Sequence, residues 1–449
     1  LLDFAESILL DFKGEFKQNI VIQKDILLSK LYKVQRKFAK SEKVLLKLKS
    51  LYPETQILYL NLSDLYYEDQ SLKKGIEILR EGIKLFPNLP NLQFNLALFY
   101  EKRGEITLSI NTYLKIIDKF PNHLESYYEL SKIYDFSSHK KELEKFLKVK
   151  IDTLKPLEKI KVAFTKSHLH HKLKNYQQSS FNLKIANDEK LKHFPSDINN
   201  KLKNYENFSK LKLKGKITSN TISDDNQYIF IVGMPRSGST LLESILSLNS
   251  NVIDMGEVPF LEESIKSEKN LKKIFKSYKN KLTKKSDSKV IYTDKYLFNF
   301  AYCPIIYNYF PNSKIIHCHR NPLDNILSIY RQNFIKINFS SSIKDITDLY
   351  IYQNNLMAKY KKKYGSIIFN YYHDKVVNDP DSVIPKIINW LDWDWDNKYL
   401  SPHKSKRNVF TASSFQVRKE INTKSVGEWK NYEELLKPAI EILSSKNLL

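Results

Sequence analysis

The stretch Phe230-Ile-Val-Gly-Met-Pro-Arg-Ser-Gly-Ser-Thr-Leu-Leu runs from apolar, strand-forming residues through a turn bearing Gly233 and Gly238 into a helix. The first turn of such a helix has backbone N–H groups with no intrahelical partner, and these attract an anion. Ser237, Ser239 and Thr240 add hydroxyl donors, and Arg236 adds a positive charge. The chemistry this suits is the binding of a phosphate-like group. The spacing from Gly233 to Gly238 is that of a nucleotide-binding G-x-x-x-x-G loop, in which a lysine follows to reach the β- and γ-phosphates. Here the next residue is Ser239. That substitution argues against a nucleoside triphosphatase. A kinase-like phosphotransferase fails on the same point, and no paired aspartates for magnesium stand in the sequence. Taken alone, the segment also reads as a generic strand-to-helix turn of small residues.

Two more stretches are motif-like. Ile315-Ile-His-Cys-His-Arg-Asn-Pro-Leu-Asp-Asn-Ile-Leu-Ser-Ile-Tyr reads as strand, turn and helix. Val409-Phe-Thr-Ala-Ser-Ser-Phe-Gln-Val-Arg-Lys is followed by Ser425-Val-Gly-Glu-Trp-Lys-Asn-Tyr. The PRSGST loop resembles the 5′-phosphosulfate loop of sulfotransferases, which use 3′-phosphoadenosine 5′-phosphosulfate (PAPS). With the other two stretches in order over residues 228–432, the chain resembles the tyrosylprotein sulfotransferase-like group and its bacterial relatives with an N-terminal tetratricopeptide array.

The resemblance implies roles for particular residues. Arg236, Ser237, Gly238, Ser239 and Thr240 would surround the 5′-phosphosulfate. Arg320 and Ser328, eight residues apart, would hold the 3′-phosphate, the arginine as a planar fork. Arg418, Ser425, Gly427 and Lys430 would close over the cofactor, with Trp429 packing that segment. Sulfuryl transfer needs a base for the acceptor's proton and cations for the sulfuryl oxygens and the leaving phosphate. Glu257, in Asp254-Met-Gly-Glu-Val-Pro, matches the family base, and Lys295, in Tyr292-Thr-Asp-Lys-Tyr, the family lysine. Arg236 would share the work on the 5′-phosphate. The bland alternatives are a helix-capping Glu257, a surface Lys295, and an Arg320 that caps a turn. The group often has an arginine four residues after the serine, where this chain has Gln332 beside Arg331. A Tyr-Glu pair usually precedes the D-P motif, where this chain has Tyr372-His373-Asp374 before Asp379-Pro380.

These residues need elements to position them. Tyr228 to Gly233, Val290 to Thr293, Lys314 to Cys318 and Ser366 to Tyr371 read as short buried strands alternating with helices, which predicts a parallel α/β sheet over residues 227–449. Ahead of it Pro53, Pro87 and Pro121 recur every 34 residues, each after an aromatic residue. Leu28, Leu62, Leu96 and Leu130 keep that period, as do Tyr32, Tyr66, Tyr100 and Tyr134. Small residues do so too, as Ser29, Ser63, Ala97, Ser131 and as Ser41, Gly75, Ser109. Two antiparallel helices per unit explain this, each second helix ending before a proline that cannot continue it. The pattern resembles the tetratricopeptide repeat, with Val162 to Asn187 as a degenerate repeat or cap. The expected fold is therefore α plus α/β: an α-solenoid with capping helices over 1–190, a linker over 191–226, and a P-loop-like sulfotransferase domain over 227–449. Such a solenoid commonly grips a peptide or acceptor chain, or else only packs.

Composition narrows the classes. The 449 residues include 73 basic ones, of which eight are arginine, so a net charge of +23 reflects dispersed lysine. Spread this way it does not argue for a nucleic-acid partner. Two cysteines exclude a disulfide scaffold, and no apolar run reaches the roughly 18 residues of a membrane span. A reducing, bacterial cytoplasm is the expected compartment. The start at Leu1 rather than Met leaves room for an upstream segment. No metal is expected. His168, His170 and His171 lack a companion carboxylate or cysteine cluster, and Asp392, Asp394 and Asp396 lack the glycine and glutamate of a calcium loop. The rival to an enzyme is an interaction scaffold whose α/β domain is inert.

Overall fold

Leucine and tyrosine one turn apart give a helix a single apolar face, which must be buried on a neighbour. In the computed structural model, residues 2–11, 18–136, 139–210, 224–268, 270–282, 289–335, 337–405, 407–411 and 413–449 are described. The chain divides into two compact units, Leu1–Asp135 with Lys406–Val409, and Phe136–Ser405 with Phe410–Leu449.

The first unit is helical. Its helices are α1 (Leu2–Asp11), α2 (Gln18–Val34), α3 (Phe38–Leu51), α4 (Gln56–Glu68), α5 (Leu72–Leu85), α6 (Pro90–Arg103), α7 (Ile106–Lys119) and α8 (Leu124–Ile133). The periodic leucines, Leu28, Leu62, Leu96 and Leu130, are all buried. Each contributes about 1.5–3 kcal/mol by leaving water. The small positions have a polar reason as well as a steric one. Ser41 Oγ donates to the Ser29 carbonyl at 2.8 Å, and Ser109 Oγ to the Ala97 carbonyl at 2.8 Å, the same link across α2–α3 and across α6–α7. Tyr52, Phe86 and Phe120 cap α3, α5 and α7, each donating its N–H four residues back before the proline ends the helix.

The second unit begins with α9 (Lys140–Leu147), α10 (Pro156–Lys172), α11 (Tyr176–His193) and α12 (Ile198–Ser209). The pair α10–α11 carries the repeat's marks: Ser179 Oγ donates to the Ser167 carbonyl at 2.9 Å, again twelve residues apart. Phe194 caps α11 before Pro195, as the aromatic residues do in the first unit. This repeat-like pair, read from sequence as the end of the solenoid, lies in the unit that holds the sheet. Of the linker stretch 191–226, α12 fills one part and residues 211–223 lie outside the described residues. The lysine-rich run from Lys266 to Lys289 likewise includes residues outside them.

Five parallel strands follow: β1 (Gln227–Gly233), β2 (Val252–Asp254), β3 (Ile291–Asp294), β4 (Ser313–His319) and β5 (Ile368–Tyr372), in the order β2-β3-β1-β4-β5. The helices between and after them are α13 (Ser239–Leu246), α14 (Phe260–Ser267), α15 (Ile274–Lys281), α16 (Cys303–Tyr309), α17 (Pro322–Tyr330), α18 (Ile343–Tyr364), α19 (His373–Asn378), α20 (Pro380–Trp390) and α21 (Glu433–Ser444). Strand β1 is central, with Ile229, Phe230, Ile231 and Val232 fully buried. It pairs with β3 on one side and β4 on the other. The chain thus leaves β1 toward one edge and later returns to the opposite side, opening a crevice beyond the strand ends where α/β sheets bind ligands. Strand β2, three residues long, was too short to register as a strand in the sequence. Cys303 and Cys318 are both free and buried.

Candidate active site

The phosphate loop is held open by its glycines. Gly233 ends β1 where a Cβ would lie 2.7 Å from the Cys318 carbonyl oxygen of the adjacent strand. Gly238 caps α13 at φ +85°, and a Cβ there would meet His373 Nδ1 at 2.3 Å. A side chain at 238 therefore suffers twice, from left-handed backbone strain of about 1–2 kcal/mol and from overlap with a buried ring. Gly238→Ala should destabilise the second unit by at least about 2 kcal/mol. Urea unfolding of both proteins measures it, and an unchanged midpoint would mean that the loop and His373 part freely.

Arg236 stands beside this turn and reaches across it. Its Nε donates to Ser328 Oγ at 3.0 Å, its Nη2 to Gln416 Oε1 at 2.8 Å, and its Nη1 to Ser413 Oγ. All three acceptors are uncharged. Burial, with Arg320 and Arg331 nearby, pushes the Arg236 guanidinium down to about 10. Arg320 follows β4 and donates to the Arg236 carbonyl at 3.1 Å and to the Ser425 carbonyl at 2.8 Å. Arg236 and Arg320, close together and donating to neutral oxygens, make a site that gains from an anion.

Across β1, the end of β3 presents Lys295, whose side chain is completely buried. Its Nζ donates to Glu257 Oε1 at 2.8 Å and lies 3.7 Å from Glu243 Oε2. Glu257 is half exposed, so the pair joins a buried cation to a carboxylate at the surface of the crevice. Asp294 beside it is not paired to a lysine in this way. Its oxygens accept from Tyr278 OH at 3.0 Å, the Tyr296 N–H at 2.9 Å and Asn299 Nδ2 at 3.1 Å. Burial raises its carboxyl to about 7. Asp294 is a fixed internal strut.

The closing segment is placed residue by residue. Ser425 accepts from Arg320, and the Gly427 and Trp429 N–H groups donate to Asp324 at 2.7 and 2.9 Å. Thr240 Oγ1 lies 3.3 Å from Thr411 Oγ1, which brings the segment's start to the phosphate loop. Ser237 and Ser239 are buried in that loop. Arg418 shares a short helical turn with Gln416, and its Nη1 donates to the Ser405 carbonyl at 2.8 Å. The Lys430 side chain is exposed. His317, buried, lies 3.8 Å ring to ring from His319, which stacks on Tyr372 at 4.8 Å.

Sequence reading missed Glu243, Asp324, Ser413, Gln416 and Glu428. Glu243 directly follows the first stretch on α13 and Asp324 lies within the second on α17, and on a helix an acidic residue reads as solvated. Only its burial marks Glu243 as the second carboxylate of Lys295. Ser413 and Gln416 carried no signal beyond their place in a motif-like stretch.

Residues 228–288 and 269–397 match the family model described as Sulfotransferase family, and residues 92–123 that of the Tetratricopeptide repeat. An uncharacterized protein of Aquifex aeolicus (strain VF5) is 32% identical over 242 residues, 48% of this chain and 32% of that protein. The chain thus spans about a third of that relative's length. A Caenorhabditis briggsae protein named "Putative protein-tyrosine sulfotransferase" is 22% identical over 232 residues, 46% of this chain and 82% of that one. Among solved structures, the sulfotransferase domain of the Synechococcus PCC 7002 olefin synthase is 16% identical, covering 52% of this chain and 97% of its own, with a TM-score of 0.36. Among the described residues, no helix is long and apolar enough to cross a membrane. Residues 228–397 of this chain thus match the sulfotransferase family, and the helical array that precedes them carries a match to the tetratricopeptide repeat.

Proposed function

We propose that this chain transfers the sulfuryl group of PAPS to a hydroxyl or amine acceptor by in-line displacement. The observation that carries the reading is the meeting of Arg236, Ser328 and Arg320 at the mouth of α13, beside the Lys295–Glu257 pair. These residues fit the donor's chemistry. The free N–H groups of α13 and Arg236 suit the 5′-phosphosulfate, and Arg320 with Ser328 suits a 3′-phosphate. Ser237, Gly238, Ser239 and Thr240 line the first of these sites, while Ser425, Gly427, Arg418 and Lys430 belong to the segment that closes on the second.

In the reaction the acceptor's oxygen or nitrogen forms a bond to sulfur as the bond from sulfur to the 5′-phosphate oxygen breaks. Glu257 takes the proton that the acceptor loses. Lys295 and Arg236 donate to oxygens of the sulfuryl group and of the departing phosphate, where negative charge builds. Burial of Lys295 strengthens that interaction, since little water competes for its ammonium. No metal is required in this scheme, because the cations are side chains. The solenoid is proposed to hold a partner or acceptor peptide on its concave face, the use to which such arrays are commonly put.

Radiolabelled PAPS with a mixture of phenolic, glycan and amine acceptors tests the reading. Transfer of label and formation of PAP (3′-phosphoadenosine 5′-phosphate) are expected. An inert scaffold would bind PAP and release no label. ATP with magnesium bound as tightly as PAP would overturn the assignment at its root.

A further inference from the structure

Of the three histidines near the end of α10, one reaches the closing segment. His171 Nε2 lies 3.0 Å from Glu428 Oε1, and His171 Nδ1 lies 2.7 Å from the Tyr432 hydroxyl. Ser179, the repeat-type serine of α11, also meets that hydroxyl, at 2.9 Å. The other oxygen of Glu428 accepts from Arg331 Nη1 at 2.9 Å. Burial alone would raise the Glu428 carboxyl, but His171 and Arg331 bring it down to about 2, so the carboxylate stays ionised between them. The same helix pair also grips the end of α17: Asn187 Nδ2 donates to the Tyr330 carbonyl at 3.0 Å, and His168 Nε2 lies 3.3 Å from the Arg331 carbonyl.

Glu428 sits between two backbone groups that are themselves tied down. The Gly427 and Trp429 N–H groups donate to Asp324, and the Ser425 carbonyl accepts from Arg320 Nη2. A chain of contacts therefore runs from His171 through Glu428 to the loop carbonyl that orients the Arg320 fork. We infer that His171 and Glu428 are positioning residues for the 3′-phosphate pocket, a role that brings α10–α11 into nucleotide recognition. Neither helix lies within the residues matched to the sulfotransferase family. The inference rests on the reading of Arg320 as a 3′-phosphate ligand.

Its test compares PAP with 5′-AMP by calorimetry on the full chain. His171→Leu removes the donor to Glu428 and should raise the Kd for PAP at least about 10-fold while AMP stays within about two-fold, the loss of one charge-assisted contact being felt only where Arg320 acts. His171→Gln, whose amide can still donate to Glu428, should recover most of the loss. Should the leucine variant fail to fold, Glu428→Ala serves instead, because it removes the acceptor of both His171 and Arg331. Equal weakening of both nucleotides, identical behaviour of the leucine and glutamine variants, or no change in either would overturn the inference. Wild type binding PAP no better than AMP would bring down the function itself. A wild-type preference left untouched by the variants would sink only this step.

Discussion

Glu257→Ala is expected to lower turnover by roughly 10²–10⁴, the usual loss when a general base is removed. Binding of PAP should change little, because Glu257 pairs with Lys295 and not with the arginine cluster proposed to hold the nucleotide. Stability should also change little, for a structural reason. Glu257 is half exposed, and its partner Lys295 keeps Glu243 3.7 Å away, so the buried ammonium is not stranded. The contrast with Glu243 is useful, since removing that carboxylate takes a buried counter-charge from Lys295 and should cost stability as well as rate. Asp294 is in no position to take over, its oxygens being occupied by Tyr278, Tyr296 and Asn299. Single-turnover transfer from labelled PAPS, with PAP calorimetry alongside, measures both quantities. An alanine variant with most of its wild-type turnover would remove Glu257 from the mechanism.

The second large effect concerns which nucleotide is held. Charge-assisted hydrogen bonds contribute about 1.5–3 kcal/mol each, and Arg320 with Ser328 offers two or three to a 3′-phosphate. At about 1.4 kcal/mol per tenfold, and with the sum trimmed for imperfect additivity, wild type should prefer PAP over 5′-AMP by more than about 100-fold. Arg320→Ala should erase most of that preference by weakening PAP, with AMP nearly unaffected. The side chain also ties the Arg236 and Ser425 carbonyls together, so some loosening of both loops is expected. Arg320→Lys separates the two contributions: it keeps the charge but not the planar fork. If the alanine variant still discriminates strongly, the 3′-phosphate is held elsewhere.

Much of the fold was legible because its signals are local. A 34-residue period is read directly from Leu28, Leu62, Leu96 and Leu130, and the structure buries all four. The strand-turn-helix at Phe230–Leu242 declares itself through apolar residues, two glycines and small hydroxyl residues in sequence. The predicted strands near 228, 291, 314 and 367 appear as β1, β3, β4 and β5, with ends shifted by a residue or two. The allegiance of α10–α11 was not legible. Their pattern is that of the repeat, and the repeat pattern fixes how two helices pack on each other, not which unit receives the outer face of the pair.

The sequence by itself determined the periodic helices, the parallel sheet and the strand-turn-helix of the glycine loop, since each follows from neighbouring residues and backbone preferences. Only the tertiary structure decided who meets whom in the site. Lys295 and Glu257 are 38 residues apart, and Arg236 and Ser328 are 92 apart. Their meeting depends on β3 and β4 flanking β1 at a fixed register. No local periodicity encodes that order, because it is set by how all the buried faces are satisfied at once. The same holds for Glu243 under Lys295 and His171 on Glu428. A lone charged residue on a helix looks solvated until packing removes the water around it, and then it must find a partner of opposite charge or a hydrogen bond.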